Sequence, residues 1–236
     1  MQNPDDDRKQ KAVLFDLDGT LVSTEGLKSK AHIETVRVLG GRVSADLEKL
    51  YDRIVGWSHE KTRDEFMRMA GIEPTEAMRR HYTTAYKSIY RVLIEKLDEP
   101  ISGVREFLER LAASGYKLAV VSSATRAEME TVLEKTHIRQ FFDVIVSAED
   151  VTHPKPSSEP YRRALELLSV QPDSAVAFED SQTGIDSALA AGLGVLAVQR
   201  DPDSNKSFSG VCDIVNSFED DSLPSKIRTI LTSPRG

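Results

Sequence analysis

The stretch Lys11–Val22, KAVLFDLDGTLV, opens with an apolar run of strand length and stops it at an Asp18-Gly19 turn. Residues i and i+2 of a strand project to the same side, so Asp16 and Asp18 aim two carboxylates into one site, and Gly19 lets the backbone turn tightly beneath an incoming group. Two acids at that range suit a division of labour, one as metal ligand or nucleophile and the other as proton donor and acceptor. Standing alone, the same residues would make only a solvated Asp-Gly turn.

Downstream the chain alternates. After Pro100 and Gly103 the spacing predicts a helix over 104–113, then the strand KLAVVSS over 117–123. Thr125 followed by Glu128 predicts a capping box opening a helix that runs to about Lys135. FDVIV (142–146), a helix over 158–168, AVAFE (175–179), a helix ending before Gly192 and GVLAV (194–198) follow. Short apolar strands alternating with helices predict a Rossmann-like α/β core, a parallel sheet with helices on both faces. Ligands in such sheets sit at the carboxyl ends of the strands, where strand order reverses.

Residues 24–98 break that rhythm with helix-compatible spacing, interrupted near Gly40-Gly41, Gly56 and Gly71 to Pro74. They predict an inserted all-helical module, leaving 1–23 and 99–236 as the α/β core. The module holds 14 basic and 12 acidic residues against 17 and 26 in the remainder, so it is either an ordinary solvated helical surface or a mildly basic lid over an acidic site. The opening decapeptide and the closing TSPRG read as frayed ends.

The whole chain has 236 residues, 31 Lys and Arg against 38 Asp and Glu, and a formal charge of −7, which argues against a nucleic-acid or anionic-membrane binder. No apolar run is long enough to span a bilayer, and the opening residues carry no apolar segment of the signal-peptide kind. The single cysteine, Cys212, forms no internal disulfide and reads as packing, so a reducing, cytoplasmic setting is expected. The oligomeric state is left open, and a monomer is compatible with everything above.

The strand AVAFE runs into Glu179-Asp180-Ser181, a second acidic pair at a strand's carboxyl end. Four carboxylates converging without a counter-ion would repel, which points to a bound divalent cation. Oxygen-only ligands favour Mg²⁺ over zinc, and no His or Cys cluster competes. Ser122 and Ser123 end another strand, where hydroxyls and backbone N–H groups suit anionic oxygens, although Ser is also a common residue at helix starts. Lys155, between Pro154 and Pro156, places a point charge on a restricted backbone, as a surface-loop lysine equally would.

Taken together, FDLDGTLV, VVSSAT, KP and FEDSQTGIDSALAAG resemble the four-motif signature of the haloacid-dehalogenase-like (HAD) hydrolases over about Lys11 to Val198. The helical insertion and EDSQTGI resemble the subgroup of β-phosphoglucomutase and phosphoglycolate phosphatase, in which the insertion is a cap that opens and closes. The resemblance implies that Asp16 attacks phosphorus to form an aspartyl-phosphate and that Asp18 protonates the leaving oxygen and later activates water. It further implies that Ser122 and Lys155 hold the phosphoryl group, with Ser123 beside them. Mg²⁺ is then bound by the Asp16 carboxylate, the Asp18 carbonyl and Asp180, with Glu179 as a direct or water-mediated ligand.

Asp18 favours phosphate esters, because dehalogenating and phosphonate-cleaving members lack an aspartate there. Lys28 stands where many subgroup members carry a cap histidine that the mutases use, which disfavours a mutase; it either meets a second anionic group or faces solvent. His32 is expected as a packed or surface residue. Trp57, in VGWSHE, either covers a sugar or base or belongs to the cap core, and Arg53 beside it is a candidate reader of an anionic tail. Gly192-Leu193-Gly194 follows a helix and precedes a strand, the reverse of a dinucleotide fingerprint, and no Gly-x-Ser-x-Gly elbow occurs. The expected function is a Mg²⁺-dependent phosphatase acting on a small phosphorylated metabolite. A β-phosphoglucomutase-like phosphosugar mutase is the alternative enzyme, and a non-catalytic binding protein on the same fold is the alternative class.

Overall fold

A computed structural model of the protein describes residues 10–54, 59–200 and 207–233. Most of the opening decapeptide, the end of TSPRG, and Trp57 with its neighbours Val55, Gly56 and Ser58 lie outside the described residues. The chain divides into two compact units, Met1–Ser23 with Asp98–Gly236, and Thr24–Leu97.

The first unit is built on six parallel strands: β1 (Ala12–Phe15), β2 (Lys117–Val121), β3 (Val144–Val146), β4 (Ala175–Glu179), β5 (Gly194–Val198) and β6 (Asp213–Val215). Their order is β3-β2-β1-β4-β5-β6. The chain therefore adds strands outward from β1 on one side, then crosses back to start β4 on the other. That reversal between β1 and β4 is the switch point where such sheets open a crevice. Registers Phe15↔Val120 and Phe15↔Phe178 bring the carboxyl ends of β2, β1 and β4 level.

Alternation along the strands separates two core layers. Ala12, Leu14, Ala119, Val121, Ala175 and Ala177 face a layer completed by Tyr161, Ala164 and Leu165 of α8 (Glu159–Leu168) and by Ile185 and Ala188 of α9 (Gln182–Ala190). These small strand residues let the two helices approach closely. Phe15 and Phe178 stack at 5.0 Å on the other face, joined by Phe107 of α6 (Val104–Ala113) and by Phe218. The remaining helices of this unit are α7 (Arg126–Lys135) and α10 (Leu223–Thr232), the latter packed on β4.

The second unit contains only helices among its described residues: α1 (Glu25–Val38), α2 (Ala45–Glu48), α3 (Leu50–Ile54), α4 (His59–Met69) and α5 (Glu76–Ile94). Helices α1, α4 and α5 pack around His32, which is buried with its ring 4.6 Å from Phe66 and 4.3 Å from Tyr86 and with Nδ1 2.9 Å from the Tyr82 hydroxyl. His32 thus belongs to the core of the helical unit.

The α/β core with helices on both faces and an inserted helical segment is as expected. The strand ends are shorter than the sequence predicts: β2 stops at Val121 and β3 begins at Val144, where the chain bends at residues 123 and 143 just beyond the last cross-strand bonds, Ser122 N–H to the Val146 carbonyl and Asp143 N–H to the Leu118 carbonyl. Strand β6 and helix α10 follow Val198 and are additions to the expected set. Cys212 is exposed, contrary to its expected packing role, because it leads into the edge strand β6, whose first two residues are exposed as well.

Candidate active site

Three strand ends, those of β1, β2 and β4, and one loop meet at the switch point. Asp16 follows β1 directly and its backbone N–H binds the Phe178 carbonyl at 2.9 Å, which ties the end of β1 to β4. The next turn is closed by the Gly19 N–H on the Val22 carbonyl at 2.8 Å and by the Leu21 and Val22 N–H groups on the Leu17 carbonyl. Gly19 holds φ +83°, and a Cβ there would stand 2.2 Å from Asp180 Oδ2. Glycine is therefore required twice, for the left-handed backbone and for the approach of Asp180.

Lys155 reaches this point from the loop before α8. Glu159, in the first turn of α8, accepts the backbone N–H groups of Thr152 and His153 at 2.6 and 2.9 Å, and the Ser187 hydroxyl of α9 binds the Ser157 carbonyl. The loop so fixed presents an almost wholly buried ammonium. Lys155 Nζ donates to Asp16 Oδ1 at 2.7 Å, to Glu179 Oε1 at 2.6 Å and to the Val121 carbonyl at 2.9 Å. Ser122, the next residue after Val121, is buried, binds the Val146 carbonyl through its N–H, and accepts the Ala124 N–H on its hydroxyl at 3.1 Å. Ser123 is exposed.

Electrostatics follow from crowding. Burial pushes the Asp16 carboxyl well above the usual carboxylate range; Lys155 opposes this, while Glu179, Asp180 and Asp18 add to it. Burial by itself would lower Lys155, but Asp16 and Glu179 outweigh it and hold the ammonium above the ordinary lysine value, so the lysine stays charged. Carboxylate oxygens of Asp16, Glu179 and Asp180 lie within 4.8 Å of one another. An all-oxygen donor set with a glycine gap over one ligand and surplus negative charge fits a hard divalent cation such as Mg²⁺. Glu179 is already engaged, since Oε1 accepts from Lys155 and from the Tyr161 hydroxyl and Oε2 accepts from Ser181 Oγ at 3.3 Å.

The structure thus brings Asp16, Glu179, Asp180 and Lys155 into direct association, with Ser122 at the adjoining strand end and half-buried Asp18 two residues after Asp16. The candidates in the helical unit are placed otherwise. Lys28 is half-buried on α1 and paired with Glu25 at 3.4 Å; Arg53, exposed at the end of α3, donates to the Asp46 carbonyl at 3.0 Å. Trp57 lies outside the described residues. Sequence reasoning missed Tyr161 and Gly184, both of which touch Glu179. Their only signal was a place on the helices that follow the lysine and the second acidic pair.

Comparison with known proteins agrees with this geometry. The family described as haloacid dehalogenase-like hydrolase matches residues 13–198. The chain is 32% identical over 183 residues to a phosphorylated carbohydrates phosphatase of Thermotoga maritima, covering 78% of this chain and 82% of that protein. It is 30% identical over 203 residues to protein CbbY of Rhodobacter capsulatus, covering 84% and 89%. Among solved structures, CbbY of Rhodobacter sphaeroides in complex with xylulose-(1,5)bisphosphate superposes with a TM-score of 0.77 at 27% identity, over 89% of this chain and 96% of that one. The expectation of an enzyme on a parallel α/β fold with an inserted helical segment is met, and among the described residues no helix is long and apolar enough to cross a membrane. With its signature motifs gathered at the carboxyl ends of neighbouring central strands and the family match spanning most of its length, the chain belongs to the haloacid dehalogenase-like hydrolases.

Proposed function

We propose that the protein is a Mg²⁺-dependent phosphatase that hydrolyses a small phosphorylated metabolite, a sugar phosphate or similar ester, through an aspartyl-phosphate on Asp16. The observation that carries this reading is the pairing of Lys155 with a buried Asp16 among three carboxylates at one strand edge. The name of one relative, a phosphorylated carbohydrates phosphatase, supports the substrate class, and that of a pyrophosphatase of Bacillus cereus, 30% identical over 190 residues, supports hydrolysis of a small phosphate compound more generally.

Asp16 attacks phosphorus as the bond to the leaving oxygen breaks, and Asp18 gives that oxygen its proton. Asp18 then takes a proton from the water that attacks the aspartyl-phosphate, which frees inorganic phosphate and restores Asp16. Lys155 and Ser122 hold the equatorial oxygens, since phosphoryl transfer depends on positioning and on charge neutralisation. Asp16, Asp180 and the Asp18 carbonyl would hold Mg²⁺, with Glu179 close by, and the ion when bound would neutralise charge on the transferring group. The α/β unit is assigned the chemistry. The helical unit, inserted after the first motif, is assigned substrate selection, with Lys28, Arg53 and Trp57 as its candidates.

The test is phosphate release from sugar phosphates, phosphoglycolate, nucleotides and an aryl phosphate, with Mg²⁺ and with EDTA. Mg²⁺-dependent release that drops at least about a thousandfold in Asp16→Asn is expected, since the nucleophile is lost. Full activity in that variant overturns the proposal. Isomer formation without free phosphate, dependent on a bisphosphate primer, transfers it to the mutase.

A further inference from the structure

A lysine ammonium sits on a flexible four-carbon stem, so its direction is set by the acceptors around it. Lys155 has two carboxylate acceptors, Asp16 and Glu179, and they differ in constancy. In the chemistry proposed above Asp16 is phosphorylated to an acyl phosphate and changes charge, so Asp16 is not a fixed anchor. Glu179 forms no covalent bond in either step, so whatever fixes Glu179 fixes Lys155 in both half-reactions.

Glu179 is wholly buried at the end of β4 and is held by three donors. Tyr161 Oη donates to Oε1 at 2.8 Å, Lys155 Nζ donates to the same oxygen at 2.6 Å, and Ser181 Oγ lies 3.3 Å from Oε2. The Tyr161 ring also offers its face to the ammonium, with Nζ 5.1 Å from the ring centroid. Tyr161 is itself fully buried among Ala12, Leu14 and Val121, where phenylalanine would fill the same space. The hydroxyl is thus superfluous to packing, and the contact that accounts for it is Glu179.

We propose that Tyr161 is a positioning residue, whose hydroxyl pins Glu179 and through it aims Lys155 at the phosphoryl site. The inference rests on the phosphatase reading. Outer partners of this kind typically shift activity by about 10- to 100-fold when removed, while a residue that only packs shifts stability alone.

The experiment compares steady-state kinetics and thermal melts of wild type, Tyr161→Phe, Glu179→Gln and the double variant, with Mg²⁺ and the best sugar phosphate from the panel. Expected for Tyr161→Phe is a kcat about tenfold to a hundredfold lower, with KM within about twofold of wild type. The double variant should be no slower than Glu179→Gln alone, because Tyr161 acts through Glu179. A folded Tyr161→Phe with wild-type kcat, whether or not its melting point falls, overturns the proposal, and so do losses that multiply in the double variant. Wild type that hydrolyses nothing on the panel strikes the phosphatase reading instead. The positioning is then judged from a crystal structure of Tyr161→Phe: Lys155 Nζ leaving Asp16 Oδ1 supports it, and Nζ remaining in place overturns it.

Discussion

A methyl group on Gly184 would stand 1.9 Å from Glu179 Oε1. Side-chain ends often yield to such a clash, but this carboxylate is buried and bound by Lys155, Tyr161 and Ser181, so its displacement breaks several bonds together. Gly184→Ala is therefore expected to lower kcat at least about tenfold and to cost about 1–3 kcal/mol of stability, as overpacking does, measured by activity and urea unfolding. Gly26→Ala, with nothing within 4 Å, is the control and should be neutral or slightly stabilising. The meeting of Asp16 with Glu179 and Asp180 is legible in the sequence, because acids at the carboxyl ends of parallel strands must share one edge. The contacts of Gly184 and Tyr161 are not legible, because they depend on how far α9 and α8 roll on the sheet, which no local pattern encodes. Taken singly, Lys155 reads equally as a surface-loop lysine, and its place beside the phosphoryl group comes only from the resemblance of the combined motifs.

Elements were legible where local chemistry specifies them. Thr125 and Glu128 form the expected capping box, with the Thr125 N–H 3.0 Å from Glu128 Oε2 and the Glu128 N–H 3.3 Å from Thr125 Oγ1. Thr125→Ala should cost about 1 kcal/mol and lower Tm by about 2–4 °C at this chain length, read by a thermal melt. By contrast β6 is a three-residue edge strand with two of its residues exposed, too short and too wet for an alternation signal. The packing of α1, α4 and α5 on His32 has its own consequence. Burial, then the charges of His59 and Lys28, lower the imidazole from 6.5 to about 3. The folded state thus refuses a proton that the unfolded state accepts below pH 6.5, so this contribution to stability is intact above pH 6.5 and is lost as pH falls toward 3. The slope approaches about 1.4 kcal/mol per pH unit, so from pH 7 to pH 5 wild type should lose about 2 kcal/mol more than His32→Asn in urea titrations. Equal losses would show that His32 is protonated in the fold.

Across the whole molecule charge is divided unevenly: 26 acidic and 17 basic residues lie outside 24–98, while 24–98 itself is net positive by two. Part of that acidic excess is concentrated at one strand edge, where Asp16, Glu179 and Asp180 lie within 4.8 Å of one another and Lys155 is ion-paired to Asp16 and Glu179. Burial pushes the Asp16 carboxyl up first, and Glu179, Asp180 and Asp18 add to it against Lys155, so a further cation would relieve the crowding. A ligand that binds only the folded state stabilises it by mass action, about 2.7 kcal/mol at a hundredfold excess over Kd, which for a chain of this length is about 5–10 °C in Tm. Mg²⁺ added to EDTA-treated protein should raise Tm by that amount. Asp180→Asn separates the two contributions, because it relieves repulsion and removes a ligand at once. Its metal-free Tm should exceed that of metal-free wild type, and its gain with Mg²⁺ should shrink. A Tm indifferent to Mg²⁺ in wild type would mean that Lys155 alone balances the cluster, and the proposed reaction would then lack its cation.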